Sequence, residues 1–253
     1  MMTCVRLAAE WRRLYLLPED CLPHANDSLS SCRLLSAEST VRSLVIGFTR
    51  ASDWPVLASL YENIQIEDEL PAPAIAVTPR GYQLWLSLAN PVNLADARRF
   101  LMRLQAKHLT ALPAGRVEFL PDVNGVFELP MIPNFDPETQ KWAAFIDPGM
   151  GSMFIDEPGL DIAPNPERQA DLLMPVKSIS SQVLQRILDE AKENIGLQAP
   201  STIAPEQNAS FPSTSFSDPR EFLLLVMNSS QAGLAERIAA ATALLESNSN
   251  QGA

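Results

Sequence analysis

Carboxylates are the residues of this chain most able to do chemistry, because hard divalent cations need several oxygens converging in one place. The densest groups are Glu67-Asp68-Glu69 and the set Asp156, Glu157 and Asp161 in FIDEPGLDI. Consecutive acids rarely converge, so the first reads as a solvated loop. The second lies among prolines and matches no ligand loop. His24, Asp27 and Ser28 are close in sequence, but a catalytic triad is defined by geometry rather than spacing. Cys4, Cys21 and Cys32, with His24 and His108, lack the spacing of a zinc site and read as reduced thiols. There is no P-loop, Gly-rich dinucleotide turn or nucleophile elbow. A quieter candidate is PRGYQLWLSL (79–88), a tight turn feeding a strand with one polar residue, Gln83, just inside it. Enzymes often place a catalytic residue there.

The elements that must position these residues follow from periodicity. Helical spacing over 5–17 predicts a helix with Val5, Ala8 or Ala9, Leu14 and Leu17 on its apolar face. LVIGF (44–48) reads as a buried strand. DWPVLASLYENI (53–64) reads as a helix with Asp53 as cap and Pro55 in its first turn. AIAVT (74–78) and residues 82–88 read as strands joined by Pro79-Arg80-Gly81. In the second, Tyr82, Leu84, Leu86 and Leu88 face one way, and Gln83, Trp85 and Ser87 the other. Residues 93–109 predict a helix capped by Asn93, with Leu94, Ala97, Leu101 and Leu104 on one face. Short strands follow at 116–121, 126–130 and 141–147, then a helix at 183–196. These elements place an α+β domain at 1–196. A Pro/Ser-rich linker follows at 197–218, and a helical tail at 219–253 whose stripe is Leu234, Ile238, Ala241 and Leu245.

The chain has 253 residues with 46% hydrophobic content, enough for a substantial core. Its net charge of −11 repels phosphate backbones and anionic membranes, so nucleic-acid contact needs a local basic patch. The candidates are Arg98, Arg99, Arg103 and Lys107 on the 93–109 helix, joined by Arg80. A solvated face is the competing reading. The N-terminal stretch has no long apolar core before its charges, and no apolar run of ~18 residues appears. The expectation is a cytoplasmic protein without a membrane partner. The tail helix, 219–246, is expected to dock on its own domain, self-associate, or seat in a partner's groove.

The order of pieces resembles the archaeo-eukaryotic primase superfamily, the primase-polymerases of plasmids, phages and mobile elements. The resemblance spans about residues 40–150. It is carried by Leu44-Val45-Ile46-Gly47-Phe48-Thr49 and the helix after it, then LPAPAIAVTPRGYQLWLSLANPVNLADARRFL (70–101). RVEFLP (116–121) and ELPMIPNFDPETQKWAAFID (128–147) are similar to the family's third acidic strand and its R-L-P segment. The resemblance implies an α+β fold with a primase/RRM-like mixed sheet flanked by helices, and two-metal nucleotidyl transfer.

The departures bear on function. Gly47 and Thr49 stand where the family has an Asp-x-Asp pair, Gln83 where it has the phosphate-binding histidine, and Glu128 where it has the arginine. Glu118 alone matches an acid, and one carboxylate is too few for two metals. The expectation is a non-catalytic accessory or interaction protein linked to replication or maintenance of a mobile element. One alternative is an active enzyme using Mg or Mn, with Glu118 and Asp122 completed by Asp147 or Asp156. Another is an interaction module unrelated to primases. Gln83 and Trp85 either line a cleft that still holds a base, with Trp85 as a stacking platform, or Trp85 packs beneath a helix on the sheet's second face.

Overall fold

The computed structural model describes residues 4–20, 31–110, 112–113, 115–122 and 127–197. The chain divides into two units, 1–199 and 200–253, and all described residues lie in the first. The expected linker and tail therefore lie outside the described residues, except Leu197, the last residue of a helix. The elements run α1 (Val5–Leu14), β1 (Ser31–Arg33), β2 (Thr40–Phe48), α2 (Trp54–Ile66), β3 (Ala74–Thr78), β4 (Gly81–Asn93) and α3 (Leu94–His108). Then come β5 (Val117–Leu120), β6 (Glu128–Pro130), β7 (Asn134–Asp136), β8 (Lys141–Ile146), α4 (Pro166–Leu173) and α5 (Ser181–Leu197). No described helix is long and apolar enough to cross a membrane.

The fold is α+β. Its main sheet has six strands in the order β5-β2-β4-β3-β8-β7, each pair antiparallel. The segment β2-α2-β3-β4-α3-β5 with strand order β5-β2-β4-β3 is a ferredoxin-like, RRM-like unit. β8 and β7 extend it past β3. β1 and β6 form a separate two-stranded ribbon.

Alternation explains how the sheet is covered on both sides. Leu44, Ile46, Tyr82, Leu84, Leu86 and Leu88 bury against α2, α3 and α5 on what we term the helical face. Val45, Ala76, Trp85 and Phe145 bury against α1 and α4 on the second face. A strand buried on both faces reads as a continuous apolar run, as LVIGF does. α3 starts where expected, with the Asn93 side chain accepting from the Asp96 N–H. Asp53 does not cap α2. Its carboxylate is taken by Arg116, which ties the start of α2 to β5. α1 buries Leu14, and Leu17 just beyond it, as expected, but its first turns present a different stripe. Leu7, Trp11 and Leu14 face inward at i, i+4 and i+7, while Val5 is 79% exposed.

Side chains finish the backbone hydrogen bonding of the second face. Arg42 donates to the carbonyls of Arg12, Arg13 and Leu16 at the end of α1. Arg13 donates to those of Leu173, Met174 and Val176 at the end of α4. The last carbonyls of a helix lack intrahelical partners, and arginine near them also suits the helix dipole. Gln169 of α4 pairs with Phe145 like a strand neighbour, accepting from its N–H (2.7 Å) and donating to its carbonyl (3.0 Å).

Two contacts give measurable outcomes. An ideal Cβ at Gly151 would lie 1.9 Å from the Trp54 ring, and the Tyr82 hydroxyl donates to the Gly151 carbonyl at 2.7 Å. Gly151→Ala is expected to cost about 2 kcal/mol or more, read from urea midpoints at unchanged slope. Burial pushes the Cys32 thiol from its ordinary 9.0 up to about 12. The unfolded chain releases this proton first, so stability declines as pH rises above 9.0. Tyr15 and Tyr82, also raised by burial, add to the decline only above 10.0. Cys32→Ala is expected to flatten a slope approaching ~1.4 kcal/mol per pH unit just above pH 9, measured by denaturation at stepped pH.

Candidate functional site

Three of the positions singled out in the sequence fall in one row. Gly47 of β2 is paired directly with Gln83 of β4 on one side and Glu118 of β5 on the other. Residues opposite each other in an antiparallel ladder share a face, so all three belong to the second face with Val45 and Trp85. The row continues through Ala76 of β3 to Phe145 of β8. Thr49 is not part of it. It lies one residue beyond β2, and its hydroxyl is held at 3.3 Å from the Arg116 carbonyl.

The second face has two ends of different character. At one end Trp85 and Phe145 are buried with Trp11 and Tyr15 under α1. Trp85 therefore packs beneath a helix and offers no exposed stacking surface; it is fully buried. At the other end Gly47 and Ala143 are small, which keeps the floor low. Gln83 stands between two clefts there. One, of about 500 Å³, runs from Gly47, Gln83 and Glu118 around the β5 edge to Arg98 and Met102 of α3. The other, of about 440 Å³, is bordered by Arg80, Asn134, Asp136 and Ala143. The Gln83 carbonyl oxygen accepts from the Trp85 indole N–H at 3.1 Å, which fixes the amide and leaves its NH₂ as a donor.

The electrostatics of the row are weakly anionic. Glu118 is exposed and has no ion-pair partner among the described residues. Asp122 lines the same cleft, and Arg98 donates to its backbone carbonyl at 2.6 Å. Asp136, at the rim of the other cleft, is held below the ordinary carboxylate range. The Glu138 backbone N–H is the main cause, with Thr139 and the Arg80 charge adding to it. Asp147 borders a different cleft with Tyr61, caps the turn after β8 and accepts from the Gly149 N–H. Asp156 is exposed. Among the described residues no three carboxylate, imidazole or thiol groups are placed to hold a metal ion.

The basic positions do not form one surface. Arg80 lies at the second-face cleft, whereas α3 covers the helical face. Four of the five have an acidic partner: Arg80 with Glu138 (3.1 Å), Arg99 with Asp96, Arg103 with Glu190 (2.6 Å), and Lys107 with Asp68 (2.9 Å) and Glu67 (3.1 Å). His108 completes the last group, hydrogen-bonded to the buried Asp68. The sequence reading missed Asn134 and Asp136, because β7 is only three residues long and carries no periodic signal. It also missed Arg116 as the partner of Asp53, a pairing 63 residues apart.

Comparison with known proteins gives no match, either to a protein-family model or to a curated protein.

The row has a simple mechanical test. A Cβ at Gly47 would make only ordinary contacts, 3.6 Å from the Glu118 Cβ. Gly47→Ala is expected to leave stability unchanged or raise it by about 0.5 kcal/mol, since glycine weakens a strand interior. Thermal unfolding checks this, and a large loss would show that the floor is tighter than described.

Proposed function

We propose that this chain is a primase-like domain without nucleotidyl-transfer chemistry, serving in the cytoplasm as an accessory or interaction module in the replication or maintenance of a mobile element. The observation that supports it best is the Glu118–Gly47–Gln83 row. Positions that the resemblance assigns to metal and phosphate binding are neighbours on three strands, beside a cleft, as in a site descended from an enzyme's. The row nevertheless holds a single carboxylate. Two-metal transfer needs bridging carboxylates to hold two cations about 4 Å apart. A neutral amide at 83 adds no positive charge for a triphosphate, and Glu118 opposes one.

The RRM-like strand order supports the reading as well, because it supplies the βαββαβ frame on which such a site would sit. The balance of −11 and the pairing of the basic side chains fit an interaction role better than a polymerase channel.

Calorimetry of the folded protein with a deoxynucleoside triphosphate and Mn²⁺ tests this. No heat is expected from the wild type. Gly47→Asp sets a second carboxylate beside Glu118 and is expected to acquire measurable Mn²⁺ binding. Nucleotide-dependent heat in the wild type, lost in Glu118→Ala, would overturn the reading, as would primers made by the pure protein.

A further inference from the structure

β5 is the outermost strand of the main sheet, and no described strand pairs with its free edge. The direction of its unpaired groups can be worked out. The Thr49 N–H donates to the Arg116 carbonyl at 3.1 Å. Hydrogen-bonded and non-bonded pairs alternate in an antiparallel ladder. Gly47 and Glu118 are then a bonded pair, and the backbone N–H and C=O groups of Val117 and Phe119 face outward. The larger cleft wraps around this edge. On the helical face it presents Val117, Phe119 and Met102, the last 66% exposed. On the second face it presents the exposed Glu118 beside Gly47.

We propose that the β5 edge is a docking site for an extended segment of a partner protein, added as a seventh strand, with a lysine or arginine facing Glu118 and apolar residues facing Met102, Val117 and Phe119. The proposal rests on the reading of the chain as an interaction module. Strand addition draws affinity from backbone hydrogen bonds and specificity from alternate side chains. The alternation along β5 is one carboxylate on one face and Val117 and Phe119 on the other, with Arg98 of the same cleft held by the Asp122 carbonyl. Charge complementarity therefore selects a basic partner segment. A second copy of this chain is disfavoured in the register centred on Glu118, which would bring two carboxylates together on one face. Nucleic acid is disfavoured because Glu118 has no ion-pair partner among the described residues, the cleft's Arg98 is bonded to the Asp122 carbonyl, and the chain is anionic.

The test is fluorescence anisotropy of the full chain with a blocked, labelled peptide of about ten alternating lysines and valines. The wild type is expected to bind it. Glu118→Lys and Val117→Pro are each expected to weaken binding at least about tenfold, the first by reversing the charge contact and the second by removing an outward N–H. Glu62→Lys, on the exposed surface of α2, makes the same charge change outside the cleft and is expected to leave binding nearly unaltered. Equal losses in Glu62→Lys and Glu118→Lys would overturn the proposal, as would equal binding of a Glu-Val peptide. Displacement of the peptide by oligothymidylate would assign the edge to nucleic acid instead. A dimer abolished by Val117→Pro would assign it to a second copy. Thermal unfolding shows that each variant is folded. Nucleotide calorimetry on the same preparation separates the two readings. Failure of the peptide with no nucleotide heat removes only strand addition, whereas nucleotide heat removes the parent reading.

Discussion

The edge-to-face packing of Trp85 on Trp11 and Tyr15, each pair with centroids 5.2 Å apart, decides what the second face of the sheet can be. Rings in this geometry gain about 1 kcal/mol per pair beyond the area they bury. The cluster closes one half of the face and commits α1 to it. Beyond the cluster, small residues at Gly47 and Ala143 leave room for the two clefts on either side of Gln83. Dry core and open cleft therefore meet on one sheet, and Gln83 sits at the boundary, bonded to the last ring of the cluster.

The cover stays in place because polar side chains meet the backbone wherever α1 and α4 end. Arg42 and Arg13 meet helix-end carbonyls at the margin of the core, and Gln169 meets the buried N–H and carbonyl of Phe145. Ser87 does the same from β4, donating to the Leu14 carbonyl at 2.6 Å. An unmet buried polar group costs on the order of 1–3 kcal/mol, so these contacts act less as attractions than as removal of penalties. They also couple elements far apart in the chain. Arg13 reaches a carbonyl 163 residues away.

The parts of the fold that were legible in the sequence are those whose signal is local. β3 was read at its observed bounds, and α3 was marked by its Asn93 cap and apolar stripe. The two faces of β4 followed from alternation alone. What was not legible depends on partners elsewhere. The inward stripe of α1 is set by the sheet it meets, and Trp11 and Tyr15 became core only because Trp85 and Phe145 lie beneath. β1 and β7 are three residues each and exist through pairing. α4 has an Asn165 cap and Pro166, a start signal that was present and passed over in a proline-rich stretch. At the site, residue types in the sequence told that acids were missing. Only register showed that Gly47, Gln83 and Glu118 are neighbours, while Thr49 is turned to the Arg116 carbonyl. The ion pairs of Arg103 and Lys107 were equally invisible, since their partners lie on α5 and on the 67–68 loop, whereas Asp96 sits one turn from Arg99 on the same helix.

The bond between the Gln83 amide and the Trp85 indole has an optical consequence. Indole emission depends on what its N–H touches, and this N–H is tied to the one side chain that borders both clefts. Any molecule that turns the Gln83 amide also alters the ground-state polarity around Trp85. The chain thus carries an intrinsic fluorophore, one of its four tryptophans, buried one hydrogen bond behind the wall of its clefts, so that a ligand turning Gln83 reaches the Trp85 share of the emission without a label.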